Sequence, residues 1–260
     1  MSPPPTWPPS DCKSTRRRPG CCAPPPHDQG RRRGLREPRI LASVLGADYA
    51  HLGDEVSTLA EAGVDGIQWD IMDGSFVPDI SFGAAVVGAC RQVADLPFEA
   101  HLMVTHPSRH IRPMAESGCR MIIIHAEASH DVLSDVSTIR GLGARAGVAL
   151  SPATPTRVSE PWISEIDQLL IMTVEPGEAG QTYRHEVEAK ISEARSLLDR
   201  RGIGIPIEVD GGLNPTTIAR ARRVGADVFV SGLWIRTHPQ GRAAAAIELR
   251  QALTTVPEGT

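Results

Sequence analysis

The sequence predicts a (β/α)8 barrel from residue 39 onward, behind a short Pro/Arg-rich segment. Three observations carry that reading. Short apolar runs alternate with amphipathic segments eight times between residues 39 and 253. Polar residues recur where those runs end, and no glycine-rich dinucleotide turn follows the first run, where an open doubly wound sheet would place one.

Taken in order, residues 1–38 hold ten prolines, two arginine triplets and almost no large aliphatic side chain. Such a segment cannot bury enough apolar surface to offset its ordering entropy, so it reads as a disordered tail. A basic arm that touches nucleic acid or anionic lipid is the sharper alternative. Cys12, Cys21, Cys22 and His27 lie here without a metal-knuckle spacing and read as free thiols beside an unengaged histidine.

The apolar runs that follow cover residues 40–43, 66–71, 98–103, 121–125, 146–150, 169–174, 205–209 and 228–231. Runs of this length between helices indicate parallel strands covered on both faces. Helical patterns occupy 51–62, 84–93, 107–117 and 185–200, and Cys90 and Cys119 fall in helical stretches. Gly63, Gly118 and Gly225 each close a helix just before a strand, the left-handed position that favours glycine. They belong to the bottom of the barrel and read as stability residues.

Composition bounds function. The chain has 260 residues, 41% of them hydrophobic, enough for one large core. No apolar run approaches the roughly 20 residues that span a bilayer, and the N-terminus lacks a secretory pattern, so a cytoplasmic protein without membrane association is expected. Net charge is −4, but residues 1–38 carry +5, leaving about −9 on the barrel. That balance argues against nucleic acid as its partner.

In such barrels the active site lies where strands end at the C-terminal face. The polar residues expected there are Ser43, Gln68, Asp70, Asp73, His101, His125, Glu127, Thr173, Glu175, Glu208, Asp210 and Ser231. Asp70 and Asp210 sit on otherwise apolar strands, the second and the seventh, where a carboxylate is costly unless paired, hydrogen-bonded or metal-bound. Two such groups facing one ligand suit removing a proton from one face of a carbon and returning it to the other. A structural role, capping loops or pairing with arginines, is the other reading. His101, on the same rim, is either a metal ligand, a substrate contact or a satisfied core histidine. Gly180, Gly211, Gly212 and Gly232 follow the sixth, seventh and eighth strands, where backbone N–H groups can approach a phosphate.

The chain resembles ribulose-phosphate 3-epimerases across residues 39–253. The resemblance rests on Ile40-Leu41-Ala42-Ser43-Val44-Leu45-Gly46-Ala47-Asp48, Trp69-Asp70-Ile71-Met72-Asp73-Gly74-Ser75-Phe76-Val77-Pro78, His101-Leu102-Met103-Val104, Pro152-Ala153-Thr154-Pro155 and Glu208-Val209-Asp210-Gly211-Gly212. It implies that Asp70 and Asp210 are the acid–base pair and, with His101, ligands of a divalent metal: commonly Zn2+ or Fe2+, with Mn2+ or Co2+ as further candidates. That ion would stabilise a cis-enediolate. Ser43 and His101 would contact substrate, Met72, Met103 and Met172 would pack over the intermediate, and Gly180, Gly211, Gly212 and Gly232 would hold the phosphate. A homo-oligomer is also implied.

Three departures stand out. Gln68 takes the place of the family's fourth ligand, a histidine, and offers only a harder carbonyl oxygen. The loop usually written Asn-Pro-Gly-Phe-Gly-Gly-Gln is Glu175-Pro176-Gly177-Glu178-Ala179-Gly180-Gln181, which sets carboxylates near an anion. Leu233 follows the eighth-strand glycine where a hydroxyl side chain is usual. The expected function is interconversion of D-ribulose 5-phosphate and D-xylulose 5-phosphate, with residues 39–260 as the epimerase domain. An epimerase for another ketose phosphate, such as allulose 6-phosphate, and a non-catalytic sugar-phosphate-binding barrel are the alternatives.

Overall fold

The computed structural model describes residues 37–254; most of the Pro/Arg-rich segment, with its three cysteines and His27, lies outside them. The eight strands are β1 (Arg39–Ser43), β2 (Gly66–Met72), β3 (Phe98–Met103), β4 (Met121–His125), β5 (Arg145–Leu150), β6 (Gln168–Met172), β7 (Ile207–Asp210) and β8 (Val228–Ser231). All pair in parallel in chain order, and β8 closes onto β1, so the sheet is a complete barrel. The helices are α1 (Leu52–Glu61), α2 (Ala84–Cys90), α3 (Ser108–Glu116), α4 (Val132–Gly141), α5 (Glu188–Arg201), α6 (Pro215–Arg223), α7 (Leu233–Thr237) and α8 (Arg242–Thr254).

Alternation along each strand sorts the side chains. On β2, Ile67, Trp69 and Ile71 join the core between sheet and helices, while Gln68 and Asp70 point into the barrel. On β3, Ala100 and Leu102 face outward and His101 inward. Trp69 is fully buried between Phe82 and Phe98, each 5.2 Å away between ring centroids. Truncating a side chain of that size to alanine costs about 3–5 kcal/mol.

The predicted strands hold with informative differences. β7 starts at Ile207, because Pro206 has no N–H to donate and serves instead as an acceptor for Leu169. β6 stops at Met172, so Thr173 and Val174 belong to the loop above it. After β5 the chain makes only a 3-10 turn at Thr156–Ser159, closed by buried Trp162, Ile163 and Ile166, where a helix completes the other units. Cys119 lies beyond the end of α3, buried in the turn before β4, whereas Cys90 is helical as expected. Gly63, Gly118 and Gly225 have φ of 82°, 95° and 114°, as their helix-closing role demands.

Glu208 is not at the mouth. It points into the lower barrel, where Gln168 Nε2 bridges Glu208 Oε2 and, at 3.0 Å, Glu99 Oε2. Arg39 donates to Gln168 Oε1 from the first residue of β1 at 3.0 Å. Burial pushes both glutamic acids up from the usual carboxylate range, and Glu99 pushes Glu208 further. This polar layer floors the barrel beneath the site.

Candidate active site

Strand register brings the site together. Asp70 on β2 lies beside His101 on β3, and Asp210, at the end of β7, lies beside Met172 on β6. Asp70 accepts from Ser43 Oγ at 2.6 Å on Oδ2, and Oδ1 faces Gln68 Nε2 and His101 Nδ1, each at 2.9 Å. The same Gln68 Nε2 donates to Asp210 Oδ2 at 2.7 Å. One carboxamide thus joins the two aspartates, with His101 Nδ1 3.8 Å from Asp210.

The electrostatics separate these groups. Burial first, and then the negative charge of Asp70, push Asp210 up to about 7. His101 is raised despite its burial, because Asp70 bonds to it and Asp210 lies close. His125, behind it, is held down to about 4, chiefly by burial, and is neutral at ordinary pH. Glu127 lies at about 2 despite partial burial, because His125 and Thr154 bond to its carboxylate.

A cavity of about 460 Å³ opens above this centre, within the range usual for small-ligand sites. Ser43, Asp70, Met103, Met172 and Asp210 line its inner end, and Gly180, Gly211, Gly212 and Gly232 line its side. Gln68 and His101 are fully buried just beneath. Met72 packs with Met103 and Val77 and is not part of the cavity wall. Gly211 and Gly212 have φ of 123° and 65°, and a Cβ on Gly212 would come within 2.3 Å of the Tyr183 nitrogen. Only glycine lets the β7 loop nest against its neighbour here.

Two charged features of the cavity were hidden in the sequence. Arg184 binds Glu175, so one of the loop's two acidic groups is already countered, while Glu178 remains on the cavity wall. Arg236 also lines the cavity. It lies over Gly46, whose missing side chain leaves room for the guanidinium, with a Cβ there only 3.2 Å from Nη2. No protein hydrogen bond or ion pair engages the Arg236 guanidinium among the described residues.

Other expected rim residues hold the scaffold. Asp73 receives the N–H groups of Ser75, Phe76 and Thr105 and is lowered to about 2, against the effect of its burial. Thr173 Oγ1 donates to the carbonyls of Asp210 and Gly211, fixing the end of β7. Ser231 Oγ donates to the Leu213 carbonyl.

Known proteins share this arrangement of sequence. A family profile described as "Ribulose-phosphate 3 epimerase family" matches residues 39–235. The chain belongs to the ribulose-phosphate 3-epimerase family. Family membership makes it an enzyme of the isomerase class, a sugar-phosphate epimerase. The ribulose-phosphate 3-epimerase of Bacillus subtilis (strain 168) is 40% identical over 195 residues, covering 75% of this chain and 90% of the relative. That of Mycobacterium tuberculosis (strain ATCC 25618 / H37Rv) is 39% identical over 215 residues, covering 83% and 93%. Among solved structures, KGPDC from Streptococcus mutans in complex with D-R5P superposes with a TM-score of 0.64 at 16% identity, covering 85% of this chain and 99% of that one. That likeness speaks to the barrel fold. No helix among the described residues is long and apolar enough to cross a membrane.

Proposed function

We propose that this chain interconverts D-ribulose 5-phosphate and D-xylulose 5-phosphate, using Asp70 and Asp210 as the proton-transfer pair at C3. The observation that carries the reading is that both carboxylates reach one cavity, bridged by a single amide, with a glycine-lined wall beside them. One carboxylate takes the C3 proton, the electron pair moves into the adjacent carbonyl, and the other carboxylate returns a proton to the opposite face. Nothing is oxidised or reduced overall. In the metal-free protein, burial and then the charge of Asp70 push Asp210 up to about 7, so Asp210 can hold and release a proton around neutral pH. Ser43 orients Asp70, Met103 and Met172 exclude water from the inner cavity, and the backbone around Gly180, Gly211, Gly212 and Gly232 receives the phosphate. Met72 supports Met103 from behind. In this reading residues 39–260 form the catalytic domain and residues 1–38 are an appendage to it.

The residues also fit a divalent metal ion. Ligand atoms of Asp70, His101 and Asp210 lie within 4.8 Å of one another, and ligands around one ion stand on the order of 3–3.5 Å apart. Gln68 Oε1 is buried with no hydrogen-bond partner, whereas its Nε2 faces both carboxylates. A half-turn of the amide exchanges those two atoms and turns the oxygen toward a bound cation. Such an ion, Zn2+ or Fe2+ first and Mn2+ or Co2+ next, supplies positive charge against the charge developing on the substrate oxygens.

A second substrate has an observation in its favour. Glu178 lines the cavity where the family loop carries an aromatic side chain, and its carboxylate can accept from an extra hydroxyl. Measuring kcat/KM on ribulose 5-phosphate and allulose 6-phosphate tests the choice. A higher value for allulose 6-phosphate overturns the pentose assignment, and turnover of neither sugar removes the catalytic reading.

A further inference from the structure

Behind His101 the barrel holds a chain of polar contacts that proton transfer to substrate does not use. His101 Nε2 lies 2.9 Å from His125 Nε2, and His125 Nδ1 lies 3.1 Å from Glu127 Oε2. Both imidazoles are fully buried, with near-parallel rings 5.0 Å apart between centroids. The other oxygen of Glu127 accepts the Ser151 N–H at 2.8 Å and the Thr154 hydroxyl. Lys190, reaching from α5, donates to the Ser151 carbonyl at 2.6 Å and holds that loop in place. The carboxylate is therefore fixed in plane, with one oxygen committed to the loop and one to the histidine.

We propose that Glu127 is a positioning residue that acts through His125 to keep a hydrogen on His101 Nε2, leaving Nδ1 as the nitrogen that engages Asp70, Asp210 or a cation between them. An ionised carboxylate only accepts, so His125 Nδ1 carries the hydrogen. The remaining His125 nitrogen, Nε2, then presents its lone pair to His101 and accepts from His101 Nε2–H. That leaves Nδ1 as the one nitrogen of His101 free to donate to Asp70 or, with its hydrogen released, to offer a lone pair to a cation held between the two aspartates. Carboxylate–histidine contacts at metal sites work by the same logic; here a second imidazole is interposed between carboxylate and ligand. The chain runs from Ser151 and Thr154, above β5, to Asp70 on β2, so it couples the loop after β5 to the catalytic strands.

The inference rests on the proposed role of His101 beside Asp70 and Asp210, but its first test needs neither metal nor substrate. Long-range 1H–15N spectra of the metal-free full chain, labelled at histidine nitrogen, read the tautomers directly. His125 is expected with Nδ1 protonated and Nε2 bare; an Nε2-protonated His125 overturns the proposal. The second test is Glu127→Gln. The Ser151 N–H keeps the carbonyl oxygen of the new amide on the loop side, so its NH2 faces His125 Nδ1. His125 should then shift to the Nε2–H tautomer, His101 should keep its hydrogen on Nδ1, and zinc affinity by competition dialysis should fall about ten- to hundredfold. An unchanged His125 tautomer, or zinc affinity within about twofold of wild type, contradicts the proposal. If the wild type binds no zinc yet shows the expected His125 tautomer, the metal assignment falls while the Glu127 role stands.

Discussion

Replacing Asp210 by asparagine should stabilise the metal-free protein at alkaline pH and leave it unchanged in acid. Asp210 stands at about 7 against an ordinary 3.8, because it is buried and faces the charge of Asp70. The sign follows from linkage. An unfolded chain loses this proton near 3.8 and the folded one near 7, so stability falls as pH rises between them, and the penalty is complete above 7. A gap of that size corresponds to about 4 kcal/mol. The side chain keeps 16% exposure, and the variant weakens the Gln68 contact, so about 2–3 kcal/mol is the expected gain. Urea denaturation after chelation, compared at about pH 8 and about pH 4, reads the difference. A gain independent of pH, or a variant less stable than wild type in alkali, would refute the reasoning.

Two further substitutions probe Gln68, a departure from the family pattern, and Arg236, a charge on the cavity wall. Gln68→His should tighten Zn2+ binding by about tenfold or more, since imidazole suits zinc better than an amide oxygen; equal zinc affinity in both proteins places Gln68 outside the ligand set. Arg236→Ala should raise KM about tenfold with kcat little changed, the effect of losing one solvent-accessible charge-assisted contact to phosphate. An unchanged KM means that the guanidinium never reaches the substrate.

Much of the architecture was legible because parallel strands in a barrel are buried on both faces and stand out as apolar runs. Asp70, His101 and Asp210 stood out for the same reason, as charged or titratable residues interrupting those runs. The apolar run extends two residues past the end of β6, because Thr173 and Val174 are as compatible with a strand as its core, while Thr173 leaves it to bind the Asp210 carbonyl. Glu208 reads from the sequence as one of the polar strand ends at the mouth; in the structure it lies two residues before Asp210 and so one layer down, on Gln168. Contacts made across the barrel left no trace in the sequence. Gln68 reaches Asp210, 142 positions away, only because the barrel closes. Arg184 neutralises Glu175 through a loop whose path no periodicity encodes. The His125–Glu127 spacing was visible, yet its link to His101 depends on two neighbouring strands both turning imidazoles inward.

The most direct test is the exchange of the C3 hydrogen of ribulose 5-phosphate with deuterated water, catalysed by Asp210→Asn, with bound metal quantified in the same sample. A paired-carboxylate mechanism predicts a loss of about 10²–10⁴-fold at equal metal content, the usual worth of a general acid–base group. Exchange within about tenfold of wild type would contradict it and take Asp210 out of the reaction.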